Sequence, residues 1–165
     1  MEQLGSHAAL VGAPEDAMAD EPAIRDAAAI LARAAADEEA ADQARDRYRT
    51  RPMIVLEPDE RIAPLLATGE QVVAVRHGAV FDRRQSVPGS RVPIGVAGDL
   101  YVTSRRIVLV GRVILSLGLE EIEEVGLSGE RLLLILRTGS SVTVEIGQPS
   151  LLRVEIGAAR ASARV

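Results

Sequence analysis

Between Gln71 and Ile146 the chain is a succession of short apolar runs, each broken within a few residues by Gly, Ser or charged side chains. No run is long enough for a core helix, and the spacing is that of strands joined by tight turns. Gln71–Arg76 reads as a first strand that can continue to Phe81, followed by a polar loop from Asp82 to Arg91 containing Pro88-Gly89. Leu100–Val102 and Ile107–Val110 form two strands around Thr103-Ser104-Arg105-Arg106, and Val113–Leu117 puts Val113, Leu115 and Leu117 on one face. Ile122 and Val125 sit among four glutamates, the pattern of an edge strand with a charged outer side. Arg131–Arg137 and Val142–Ile146 make a hairpin around Thr138-Gly139-Ser140.

Two of these strands are apolar at every position, Ile107–Val110 and Leu132–Leu136. Such strands are expected to be covered on both faces. Ser150–Arg164 is the expected cover, with Ser150 as N-cap and Leu151, Leu152, Val154, Ile156 and Ala159 as its apolar surface. Leu152, Val154 and Ile156 also alternate like a strand, but the run Ala158–Ala163 favours a helix. Aromatic residues are 2% of the chain, so the core must be built from Val, Ile, Leu and Ala.

The first part of the chain is different. Residues 1–50 hold 11 acids against 5 arginines, whereas residues 51–165 hold 13 against 14, so an acidic arm precedes a nearly neutral body. Residues 1–21 read as a flexible acidic tail, 22–48 as an Ala-rich helix with Pro22 in its first turn, and 49–61 as a linker with Pro52 and Pro58. The domain proper is expected over 62–165. Ala dominates the apolar stripe of the helix and buries little area, which predicts a loosely attached helix.

Gly98-Asp99-Leu100-Tyr101-Val102-Thr103-Ser104-Arg105-Arg106-Ile107 resembles the core motif of GRAM and bacterial pleckstrin-homology-like (PH-like) domains. Gly69-Glu70-Gln71-Val72-Val73 resembles that family's entry to its first strand, and Leu119–Val125 its strand after the middle of the domain. The resemblance covers residues 65–165. It implies a mainly β fold: an antiparallel barrel or sandwich of about seven strands capped by a C-terminal helix. It also implies a scaffold for binding lipid, peptide or protein rather than for catalysis. Tyr101 is then expected to anchor the barrel core with its hydroxyl at the rim.

The candidate ligand-binding residues are Arg83, Arg84 and Arg91 in the loop 82–91, with Arg105 and Arg106 at the hairpin turn and Arg76 and His77 beside them. Together they would form an anion-binding rim; the competing reading is a solvated basic loop. Glu120, Glu121, Glu123 and Glu124 are read as the charged face of a strand rather than as a calcium or acid–base site. The chain has no cysteine and only His7 and His77, so no metal site, cofactor or catalytic residue is assigned. Phosphate-cradling Gly-rich loops and nucleophile motifs are absent from the sequence. A nucleic-acid partner is not expected, because the body is not basic and lacks aromatic stacking platforms. Two functions remain open: a cytoplasmic module that binds a protein or peptide partner, or a peripheral membrane module that holds anionic lipid at the inner face through loop 82–91.

Overall fold

The computed structural model describes residues 21–84 and 95–164. Along the chain they form α1 (Glu21–Thr50), β1 (Val72–Arg84), β2 (Val96–Thr103), β3 (Arg106–Gly111), β4 (Ile114–Gly118), β5 (Ile122–Ser128), β6 (Arg131–Leu136), β7 (Ser141–Glu145) and α2 (Pro149–Ser162). The seven strands make one sheet in the order β4-β3-β2-β1-β7-β6-β5, with every neighbouring pair antiparallel. Seven antiparallel strands with a helix after the last are the mainly β, PH-like arrangement that the sequence implied. No helix among the described residues is long and apolar enough to cross a membrane.

β1 is longer than its apolar run suggests. It pairs with β2 along most of its length and then with β7, where Asp82, Arg83 and Arg84 lie opposite Thr143, Val142 and Ser141. That second ladder extends the strand into residues expected to be loop. A register shift between Arg76 and Ala79, at Gly78 with φ +70°, bends the strand so that it can serve both partners.

The edge strands β4 and β5 are separated by only the 3-10 turn Leu119–Glu121, so the sheet curls and its two edges meet at that turn. The turn ties the seam at one end. Leu119 N–H donates to the Arg105 carbonyl at 2.9 Å, and Arg137 N–H donates to the Glu121 carbonyl at 2.9 Å.

Inside the curl lies the main core, with Leu100, Val102, Ile107, Leu109, Leu132, Leu134 and Val144 among its walls. α2 closes it with Leu152, Ile156 and Ala159, so 150–162 is helix and not an eighth strand. A second apolar cluster lies on the opposite face of β2 and β3, where Tyr101, Val108 and Val110 are buried with Ile62 and Val72 against Leu56, Leu65 and Leu66. β3 is therefore covered on both faces as expected, but by residues 56–66 rather than by α2 alone. Tyr101 points into this outer cluster instead of the barrel interior, and its hydroxyl donates to Asp59 at 2.7 Å. Alternation explains the placement, because Leu100 and Val102 occupy the inner face.

β6 departs from expectation. Leu132, Leu134 and Leu136 are buried, whereas Leu133 and Ile135 are only half-buried. Their outer-face neighbours across the ladders include Thr143, Ser141 and Glu124, which shelter the two side chains without enclosing them. Ser150 is likewise not the N-cap of α2. The helix begins at Pro149, and its free N–H groups at Ser150 and Leu151 donate to the Asp37 carboxylate at 2.7 and 3.0 Å. An acid from another helix thus caps α2 and complements its dipole.

The chain divides at Arg33/Ala34, within α1. In the first unit Ile24, Ile30 and Leu31 are exposed. In the second, Asp37, Ala41 and Ala44 are buried.

Candidate functional site

The expected motif residues assemble at the β2–β3 turn, and most of them are structural. Thr103 is fully buried; its hydroxyl donates to Glu70 at 2.7 Å and accepts the N–H groups of Arg105 and Arg106. Arg106 Nε meets the same carboxylate at 2.8 Å, and its Nη2 also donates to the Leu65 carbonyl at 2.6 Å. Burial pushes the Glu70 carboxyl up, but the Arg106, Ala67 and Thr103 hydrogen bonds outweigh it and hold the carboxyl down at about 2. Ser104 and Gln71 exchange two further bonds. Two of the three sequence fragments that carry the resemblance, around Glu70 and around Thr103, are therefore one clamp fixing the start of β1 to the β2–β3 turn.

Beside this clamp, at the seam between β4 and β5, is a 960 Å³ cleft. Arg105 enters it from the turn, Arg137 from the end of β6, and Arg160 and Arg164 from the end of α2. Backbone carbonyls hold three of these guanidinium groups: Arg105 on Thr68 at 3.3 Å, Arg137 on Glu120 at 2.6 Å, and Arg160 on Ile122 and Glu123 at 2.6 and 3.0 Å. Among the described residues none of the four has a carboxylate partner. Burial lowers the pKa of Arg160, and the charges of Arg164 and Arg137 lower it further, which marks the local excess of positive charge. Glu120 and Glu121 are the cleft's opposing acids; the Glu121 side chain accepts the Gly118 N–H at 2.7 Å.

Sharing Ser116, Glu120, Glu121 and Arg137 with the cleft is a 440 Å³ slot. Phe81, Val96, Leu115, Leu117, Leu136 and Val142 make its apolar walls. It opens where β4, paired only with β3, leaves its other edge unpaired among the described residues. Val113, Ile114 and Leu115 there are 48%, 54% and 36% exposed.

Of the residues singled out in the sequence, Arg105 and Arg106 share the cleft, with Arg106 spent on Glu70. Arg76 belongs elsewhere: it pairs with Glu155 of α2 at 2.6 Å. His77 lies 3.2 Å from Asp99, which also pairs with Arg61. The backbones of Arg83 and Arg84 end β1, while their side chains and Arg91 lie outside the described residues. Sequence reading missed Arg137, Arg160 and Arg164, which have no motif around them and meet only through the fold. Among the described residues no group of three His, Asp or Glu side chains is placed to hold a metal ion.

No protein-family model matches the chain, and no curated protein matches its sequence. Among solved structures it is similar to the Vps36 N-terminal PH domain, at 19% identity and a TM-score of 0.47 over 67% of this chain and 92% of that one. It is also similar to the C-terminal domain of an unknown protein from Leishmania infantum, at 16% identity and a TM-score of 0.42 over 63% and 91%.

Proposed function

We propose that the chain is a non-catalytic, GRAM-type PH-like module whose work is to bind a protein partner through an extended peptide segment. The supporting observation is the apolar slot lying directly under an unpaired sheet edge. An added strand would find backbone partners along β4 and a side-chain pocket lined by Leu115, Leu117 and Phe81. This is β-augmentation, in which the main chain supplies affinity and alternate side chains supply specificity. Exposed apolar side chains on a sheet edge are an aggregation hazard that proteins otherwise blunt with charge or proline, and β4 itself carries neither.

Selection of a random-peptide phage library on the purified protein tests the reading. Peptides with alternating apolar residues are expected, and Leu115→Lys should weaken the best of them by at least about tenfold, or ~1.4 kcal/mol. Failure to select any peptide, or selection indifferent to Leu115→Lys, would remove β4 as the docking edge.

A further inference from the structure

The slot does not end in solvent. At the Gly118 end of β4 it runs into the arginine cleft, and Ser116, Glu120, Glu121 and Arg137 belong to both. A strand laid along β4 from Ile114 towards Gly118 is therefore carried from apolar walls into a cluster of guanidinium groups.

Several arginines of the sheet and its flanking loop are matched with acids. Arg61 is matched by Asp99, Arg76 by Glu155, Arg106 by Glu70 and Arg131 by Glu145. Arg105, Arg137, Arg160 and Arg164 have no carboxylate partner among the described residues, and all four line one cleft. Their charges converge on a cleft that offers only Glu120 and Glu121 in return, since Glu70 is already committed to Arg106. Three are aimed by backbone carbonyls, which fix direction without cancelling charge. A guanidinium held this way keeps donors for a carboxylate, and its planar fork suits bidentate pairing. The surplus of two positive charges calls for more than one carboxylate.

Resting on the peptide-binding reading above, we infer that the partner segment is acidic at one end: apolar alternating residues fill the slot, and two or more Asp or Glu residues follow into the arginine cleft. The cleft then sets the polarity of the docked strand, because the acidic end must lie beyond Gly118. Glu120 and Glu121 repel a segment laid the other way only weakly; the four arginines do most of the selecting.

The same phage library distinguishes the two levels. Peptides selected on the wild-type protein should carry acidic residues clustered on one side of the apolar stretch. The best of them should lose about tenfold in affinity on Arg105→Gln/Arg137→Gln, and lose affinity as salt is raised, because exposed charges are screened. Arg131→Gln, outside the cleft, should leave it unchanged. The double substitution removes no ion pair among the described residues, and its melting temperature checks that the fold survives. Apolar peptides without acidic clustering, or binding indifferent to the double substitution at low salt, would overturn the acidic-partner inference and leave peptide docking standing. No selected peptide at all would overturn both.

Discussion

At the scale of single residues, the buried carboxylate of Glu70 is the most consequential group in the molecule. It gathers Arg106, Thr103 and the Ala67 N–H around one carboxylate, and so joins two segments distant in sequence. Its carboxyl is held at about 2 in the fold against 4.5 for an ordinary glutamate. A depressed carboxyl stabilises the fold at every pH above its unfolded value, and that stability is lost as pH falls from 4.5 towards 2. The difference corresponds to about 3 kcal/mol at most. Glu70→Gln should therefore lower unfolding free energy by ~2–3 kcal/mol at neutral pH, measured by urea titration, and the gap to wild type should close below pH 4.5. A gap that stayed constant down to pH 2 would show that the loss is steric rather than ionic. The motif around Thr103 was legible in sequence, but not its purpose, because Glu70 lies 36 residues from Arg106 and nothing local announces the pairing. The glycine that opens the motif has an equally physical reason. Gly98 faces Gly111 across β2 and β3, and a Cβ at either would come within 2.6 Å or 2.1 Å of the opposite strand's carbonyl.

At the scale of elements, period-2 alternation located most strands, while their surroundings decided what each face does. The β6–β7 hairpin lies where the Thr138-Gly139-Ser140 turn placed it. An unbroken apolar run did not distinguish β3, buried on both faces, from β6, enclosed on one. The difference lies in residues 56–66, which cover β3 and are nearly silent in sequence. This gives a paired prediction on β6. Leu134 is fully buried in the main core, so Leu134→Asp introduces an unpaired charge and should abolish cooperative unfolding by circular dichroism. Leu133, one position along and half-buried, faces the other way; Leu133→Asp should cost no more than about 1 kcal/mol. Similar damage from both substitutions would mean that the outer face of β6 is covered in solution. The slot and the cleft could not be read from sequence at all, since their walls come from five or more separate elements.

At the scale of the whole molecule, the Ala-rich helix crosses a boundary that its composition does not mark. Helix-forming residues continue unbroken through Arg33 and Ala34, so propensity gives no sign that one half differs from the other. The later half carries Asp37, which caps α2, and Ala41 and Ala44, which are buried. Among the described residues both apolar clusters lie within 53–159, and none of residues 21–33 belongs to either. We therefore expect a chain beginning at Ala34 to melt at the temperature of the full chain in scanning calorimetry. A chain beginning at Arg51 loses the cap, worth about 1–2 kcal/mol, together with the Ala41 and Ala44 contacts. At roughly 4 °C per kcal/mol for a domain of this size, its melting temperature should fall by about 4–8 °C. Asp37→Asn in the full chain separates the two contributions, because it weakens the cap while leaving the alanines in place. If the Arg51 chain melted with the full chain, α1 would be a spacer and Asp37 a bystander. If the Ala34 chain were already destabilised, residues 1–33 would belong to the folded body.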